Sequence, residues 1–463
     1  MSTTDNSQQF EHEHWSSRGA FLLACVGGAV GLGTIWRFPY ITGANGGGAF
    51  VLIYIACILV IGIPLMAAEL AIGRRGGQSA IRTMQVLTRQ EGASRFWVLL
   101  GWLSIVTPFV GLMLYSVIGG WVLDYIVQTA RGTFVNSDAQ SSGSAFSTLT
   151  SNPLRLMFWH TMFLIVTVSI VARGVNAGIA RAVKLLMPGL ALILLLLLIY
   201  TMFTTDFMAG VRFLFTPDFS QVDGTVILMA VGQAFFSLSI SVGSLITYGA
   251  YMPKQISILG GSLTIAAADT SAALLIGMVV FPLVFTYGLA AAEGPGLVFV
   301  SLPIAFGAMP AGTFFGTLFF ILMLLTALTS SIAMLEPAVS RFEEFRKFKR
   351  STAAILIGSV AWLLGLSAVF SFNLLADFNP LAMLPSFESK TLFDLLDYIT
   401  ANILIPAGGL LIALFAGWIM SRDSVRDELG IPDGPLFRAW YRLVRYVAPI
   451  AIVMIFIANL LGI

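Results

Sequence analysis

Gly27-Gly28-Ala29-Val30-Gly31-Leu32-Gly33-Thr34-Ile35-Trp36-Arg37-Phe38-Pro39 lies in the middle of the first long apolar segment of this chain. Four glycines in seven residues, then an arginine and a proline, are poor material for a continuous membrane helix. Glycine gains too much freedom on unwinding, and proline cannot donate the helical hydrogen bond. Backbone that leaves the helix at membrane depth must be buried in protein or line a watery cavity. The stretch therefore predicts a broken helix with a binding site at the break.

The surrounding composition makes membrane depth the right frame. Hydrophobic residues are 57% of the chain and charged residues only 10%, with a mean hydropathy of +0.90. These values imply a polytopic integral membrane protein. Apolar runs long enough to cross ~30 Å of hydrocarbon fall at 19–43, 47–72, 97–128, 155–172, 178–203, 226–252, 257–288, 313–340, 352–372, 394–420 and 440–462. The expected fold is all-α, with eleven transmembrane helices.

With the amino terminus inside, the turns on that side collect 20 Lys and Arg against 4 outside, leaving Arg37 in the membrane. The bias predicts a cytoplasmic amino terminus and, after eleven crossings, an outside carboxy terminus. These basic residues are topogenic, so the net charge of +2 does not indicate a nucleic-acid partner. The first apolar segment lacks a small-residue cleavage site, so no signal peptide is expected. Cys25 and Cys57 sit in different apolar segments and read as buried free thiols. The absence of an N-x-[ST] acceptor and the short outside loops lean towards a bacterial inner membrane. Only three histidines, at 12, 14 and 160, occur; no metal-ligand or nucleophile–base spacing suggests an enzyme.

A second interruption lies in the sixth segment, where Ser237-Leu238-Ser239-Ile240-Ser241-Val242-Gly243-Ser244 breaks the apolar run. Serine and glycine also let helices pack closely, and for this segment alone either reading serves. Segments 1 and 6 are five apart, however, so their halves run in opposite directions. Paired interruptions in inverted halves point to a secondary transporter with its site at the midplane. The expected organisation is a tail 1–17, a first five-helix repeat 18–203, an inverted repeat 226–421 and an eleventh helix at 437–463. A broken helix offers free amides, which suit a carboxylate, and free carbonyls, which suit a hard cation such as sodium.

Gly31-Leu32-Gly33-Thr34-Ile35-Trp36-Arg37-Phe38-Pro39-Tyr40 with Asn45-Gly46-Gly47-Gly48-Ala49-Phe50 resembles the signature of the neurotransmitter:sodium symporter family. So do Gly62-Ile63-Pro64-Leu65 with Glu69, Gly232-Gln233-Ala234-Phe235-Phe236-Ser237, and Leu328-Thr329-Ser330-Ser331. The match runs from about residue 12 through the tenth helix and is most similar to the bacterial amino-acid transporters. The resemblance implies the leucine-transporter fold, sodium-driven alternating access and two sodium sites. One would use the carbonyls of Gly27 and Val30, a carbonyl at Thr326 and the hydroxyls of Thr329 and Ser330. Hard cations take oxygen ligands, although such hydroxyls also back-bond within helices. The other would use the carbonyl of Ala29 and the Ser237 hydroxyl, with Thr34 and Asp269 where the family usually has asparagines.

An acid in an apolar run marks function by default, so Asp269 is singled out. Tyr54, Gln233 and Ser237 match a family chloride site whose last serine is Ala273 here. Asp269 would supply that negative charge, making transport chloride-independent.

Gly28 stands where monoamine transporters carry an Asp, leaving room for an amino acid's own carboxylate near the amides of Leu32 and Gly33 and the Tyr115 hydroxyl. The side-chain pocket would draw on Gly111, Phe236, Ser237, Ser239, Ser241, Val242, Ser330, Ser331 and Met334. It suits a neutral amino acid or related zwitterion. Arg37 and Asp397 would form the outer gate, with Tyr115 and Phe236 as the lid. Trp15, His12, Tyr251 and Glu344 would form the inner gate, His12 standing where the family has an Arg. Gly178 and Pro188 resemble a fifth-helix motif that unwinds to release sodium; a simple kink is the other reading. The function so implied is sodium-coupled symport of an amino acid in a lipid bilayer, without need of an oligomer. A proton-coupled transporter of the same fold, with Asp269 as carrier, is the alternative; a non-transporting receptor or channel is disfavoured by the hydroxyls at both sodium sites.

Overall fold

The computed structural model describes residues 13–289, 296–346, 348–384 and 387–461. Among them the regular structure is helical, apart from an isolated bridge between Gly47 and Pro217. Nine helices among the described residues are long and apolar enough to cross a membrane. They are Gly48–Gly76 (span 2), Arg95–Ala130 (span 3), Pro153–Val171 (span 4), Val175–Thr204 (span 5) and Ile258–Thr286 (span 7). Gly312–Arg346 (span 8), Arg350–Phe370 (span 9), Leu392–Ile419 (span 10) and Pro435–Asn459 (span 11) complete the set. Arg18–Ala29 and Gly33–Ala44, bent by 50° across residues 30–32, make span 1. Gly224–Ser237 and Ser244–Ala250 make span 6; at 14 and 7 residues neither could cross alone.

The eleven spans follow the hydropathy pattern, and both glycine- and serine-rich stretches interrupt helices where expected. Several spans carry proline in their interior, among them Pro108, Pro188, Pro282 and Pro337. Such prolines are tolerated because packed neighbours re-satisfy the freed carbonyls. Span 8 forms the spine of the bundle, packing along span 3 and against spans 1, 4, 5 and 9. Span 2 lies against the second half of span 6, and spans 10 and 11 pair with each other. The surface between the two faces of the bundle is apolar, with Leu154, Leu185, Phe203 and Leu363 exposed, as lipid contact requires.

Five shorter helices escape a criterion based on apolar length: Ala80–Gln90, Ala139–Thr150, Phe207–Phe215, Leu297–Ala308 and Arg422–Leu429. Three of them start at side-chain caps. Asp138 and Ser141 form a reciprocal capping box, and Asp206 and Ser421 accept from Ala209 and Ser424 amides. The last of these helices lies within 421–436, and span 11 begins at Pro435, several residues before the expected 440.

Candidate functional site

Span 1 leaves helical geometry at Val30, whose ψ of 80° turns the chain while its amide still bonds the Val26 carbonyl at 2.7 Å. The helix resumes at Gly33 in a widened turn. The amides of Thr34 and Ile35 both converge on the Gly31 carbonyl, at 3.0 and 3.1 Å. The amides of Leu32 and Gly33 are directed instead at the Tyr115 hydroxyl on span 3. Only glycine fits here: a Cβ on Gly31 would lie 2.8 Å from Ser330 Oγ, and one on Gly33 2.4 Å from the Phe236 ring.

The break in span 6 is longer and held differently. Ser239, Ser241 and Gly243 all have positive φ, at 49°, 70° and 99°. The fully buried Glu69 carboxylate of span 2 accepts from the Ser241 amide at 3.0 Å, and the amides of Gly243, Leu245 and Ile246 also face it. Ser239 Oγ donates to the Gly28 carbonyl at 2.9 Å, tying the two breaks together.

Between the breaks lies a cavity of about 10 Å³. Of the residues expected at the substrate pocket, Gly28, Ser239, Val242, Ser330 and Met334 line it. A Cβ on Gly111 would sit 3.6 Å from Met334. Phe236 packs over Gly33 at the outer end. Three expected side chains turn elsewhere, among them Ser237, which donates to Asp269 at 2.5 Å. Ser241 Oγ lies 2.5 Å from where a Gly409 Cβ would stand on span 10, and Ser331 pairs with Thr167 of span 4 at 2.9 Å.

Asp269 on span 7 sits at the centre of a fully buried hydroxyl cluster. Thr34 donates to one carboxylate oxygen at 2.7 Å, and Ser237 to the other at 2.5 Å, with Tyr54 3.5 Å from it. Tyr54 also donates to Ser237 Oγ at 2.9 Å. Gln233 Nε2 donates to the Gly33 carbonyl at 3.0 Å, while its Oε1 is buried without a partner. A buried carboxylate surrounded by hydroxyl oxygens is a donor set that suits a hard monovalent cation.

The second group lies where span 8 crosses span 1. A Cβ on Gly27 would lie 3.1 Å from Thr329 Cβ and from Met187 Sδ, so span 1 touches spans 8 and 5 at this point. Thr329 Oγ1 donates back to the Leu325 and Thr326 carbonyls at 3.2 and 3.0 Å. That leaves its lone pairs available to a cation. Ser330 Oγ is buried beside Gly31, without a hydrogen-bond partner among the described residues.

At the outer end the Arg37 guanidinium sits over the Phe236 ring, 4.5 Å from its centroid. Asp397 interacts with Arg37 electrostatically. At the other end Trp15 is buried; its indole N–H donates to the Tyr248 carbonyl and its amide to the Tyr251 carbonyl, both at 3.1 Å. The Tyr251 hydroxyl donates to Glu336 at 2.9 Å, and Glu336 pairs with Arg350. Glu344 accepts from Ser79 and lies 3.5 Å from Arg82. His12 lies outside the described residues. Further along the tail, Glu13 accepts from the amides of Val175 and Asn176 at 2.8 and 3.2 Å, and the Asn176 side chain bonds Ser16 N and His14 O. The tail is thereby stapled to the start of span 5, just before Gly178.

The family model described as the sodium:neurotransmitter symporter family matches residues 12–142 and 150–463. The chain belongs to that family. An uncharacterized sodium-dependent transporter of Bacillus subtilis, YhdH, is 36% identical over 452 residues, covering 97% of this chain and 98% of the relative. An uncharacterized sodium-dependent transporter of Haemophilus influenzae is 34% identical over 465 residues, covering 99% and 100%. The crystal structure of MhsT in complex with L-phenylalanine superposes with a TM-score of 0.86 at 38% identity, over 97% of this chain and 100% of that one.

The symporter is therefore a sodium-coupled membrane transporter and not an enzyme. Its fold is that of MhsT, all-α with inverted five-helix repeats, broken spans 1 and 6 and one extra helix. Three of the symporter's structural residues lie beyond the sequence reading. Glu69 was visible only as part of a motif, although a lone carboxylate in an apolar run is itself a signal. Glu336 carries the same signal. Ser239 could not be told from a pocket serine, because its bond to Gly28 depends on a positive φ.

Proposed function

We propose that this symporter imports a neutral amino acid or a related zwitterion together with sodium, by alternating access about the paired breaks. One observation carries the reading. The amides of Leu32 and Gly33 face the Tyr115 hydroxyl, which lies beside Gly31, and Gly28 offers no side chain for a substrate amine. These two amides, the positive end of the second half of span 1 and a tyrosine hydroxyl together suit a carboxylate. The L-phenylalanine bound to MhsT is a neutral amino acid and supports the same class.

In this reading one sodium lies among Ala29, Thr34, Ser237 and Asp269, and the other among Gly27, Val30, Thr326, Thr329 and Ser330. Asp269 provides the fixed charge that makes chloride unnecessary. Arg37 and Asp397 close the outer path over Phe236; Trp15, with Tyr251, closes the inner path. The repeats are 18–203 and 226–421, with the amino terminus in the cytoplasm of a bacterial cell and the carboxy terminus outside. The proton-coupled alternative draws on the same Asp269, which three hydroxyls face inside the bundle.

A scintillation binding screen of amino acids, in sodium against potassium and with chloride against gluconate, tests the reading. Saturable binding of a neutral amino acid in sodium gluconate is expected. Equal binding in sodium and potassium rejects sodium coupling, and loss of binding without chloride rejects the role given to Asp269.

A further inference from the structure

The start of span 11 carries three arginines that the transport site does not use. Arg438, Arg442 and Arg445 follow one another at i, i+4 and i+7, which places them on one helical face. No acid occurs anywhere in 435–459. The acids of the preceding connection are already engaged: Asp423 and Asp427 pair with Arg426, Glu428 with Arg74, and Asp433 with Arg422. Arg438 and Arg442 are exposed, and the polar contact of Arg438 is a 3.4 Å bond to its own helix at the Gly434 carbonyl.

Arg445 is built into the surface. Its guanidinium lies 4.1 Å from the Trp418 ring centroid and 5.6 Å from that of Tyr446, while Nη1 donates to the Tyr441 hydroxyl at 3.2 Å. The Trp418 indole N–H donates to the Arg445 carbonyl at 2.9 Å, locking spans 10 and 11 around it, and Arg445 Nε is buried without a hydrogen-bond partner among the described residues. The rim is apolar and exposed: Leu436 and Ile450 are each 61% exposed, Trp418 51% and Tyr446 49%. Trp440 donates to the Pro64 carbonyl of span 2 at 3.2 Å, so this stretch is already packed into the bundle at the level of the membrane spans.

We propose that this face binds the phosphodiester head group of an anionic phospholipid. Three guanidiniums with no acid partner among the described residues call for phosphate oxygens, which arginine takes in a bidentate manner. The exposed apolar and aromatic rim calls for acyl chains beneath the phosphate, as at membrane interfaces generally. A free anion would satisfy the first demand alone, and a neutral lipid the second alone. Basic pockets between transmembrane helices are a recurring form of lipid head-group site.

The test is native mass spectrometry of the full-length protein titrated with phosphatidylglycerol or phosphatidylcholine of matched chains. Wild type is expected to prefer phosphatidylglycerol by about tenfold or more, with each Arg→Gln change removing about fivefold, consistent with one surface charge apiece. R442Q alone suffices if the triple variant does not fold, because its side chain has no described contact to lose. R438K/R442K/R445K retains most of the preference. Equal affinity for the two lipids, an unchanged preference in R442Q and R438Q/R442Q/R445Q, or displacement of the lipid by excess inorganic phosphate overturns the proposal. A dimer that replaces the lipid adducts and is lost in R442Q also overturns it, assigning the face to a second copy of the chain.

Discussion

The two broken helices solve the same problem in opposite ways. Span 1 breaks over three residues, with its Leu32 and Gly33 amides facing the Tyr115 hydroxyl of span 3 and the Ser330 hydroxyl of span 8 lying beside Gly31. Span 6 breaks over six residues, and its amides are already claimed by the resident carboxylate of Glu69. The difference assigns labour. The open break can exchange its partners for cargo, whereas the capped break is scaffold against which the cargo is held. Ser239 joins the two by donating to Gly28.

Removing the cap should have the largest effect. Glu69→Ala strands the buried Ser241 amide and removes the carboxylate that the amides of Gly243, Leu245 and Ile246 face, at a cost of about 1–3 kcal/mol for each group left unsatisfied. The expected result is loss of sodium-dependent binding and a clear fall in the melting temperature of the purified protein. An unchanged melting temperature would erase the distinction between the breaks.

Asp269→Asn should come next. It keeps the shape but removes the charge facing Thr34, Ser237 and Tyr54, so sodium affinity should fall by about tenfold to a hundredfold, as expected for loss of a charged hydrogen-bonding partner. Added chloride should restore part of it, read from sodium titrations of substrate binding with and without chloride. Thr329→Val removes one hydroxyl beside Gly27 and should weaken sodium by about tenfold, with the melting temperature little changed, since the hydroxyl only back-bonds to its own helix.

The smallest effect separates conformation from contact within span 6. Ser241 has φ of 70°, so Ser241→Gly relieves strain of about 1–2 kcal/mol. Most of that is offset by the greater freedom glycine has in the unfolded chain, and a change in stability within about 1 kcal/mol is expected. Gly243→Ala, by contrast, should be severe, because its Cβ would fall 2.3 Å from Ser104 Cα.

The breaks were legible because glycine and serine in apolar segments contradict the helix around them, and the eleven spans because apolar length is a direct requirement of the bilayer. Direction within a break was not legible. Once Ser239 and Ser241 adopt positive φ, helical spacing no longer says where a side chain points, so Ser241 faces Gly409 instead of the cavity. Ser331, one residue beyond Ser330 on a regular helix, is turned about 100° away and meets Thr167. The inner polar network likewise depends on packing between spans: Tyr251 reaches Glu336, which sits two helical turns before Glu344 and pairs with Arg350 from the start of span 9. The short connecting helices were hidden because caps and tertiary contact, not hydrophobic length, stabilise them.

The Asp269 cluster also bears on the order in which the protein is made. Thr34 and Tyr54 enter the membrane more than two hundred residues before the carboxylate they meet. A threonine hydroxyl is tolerated there because it can bond its own helix while it waits, and a tyrosine because most of its side chain is apolar ring; a bare carboxylate is far more costly in hydrocarbon. Synthesis from the amino terminus therefore lays down the receptors first and delivers the acid into a reception already prepared, together with Ser237 from the span just before it. A chain permuted to begin with span 7 would have to insert Asp269 alone, and its yield in the membrane should suffer even if the finished fold were the same.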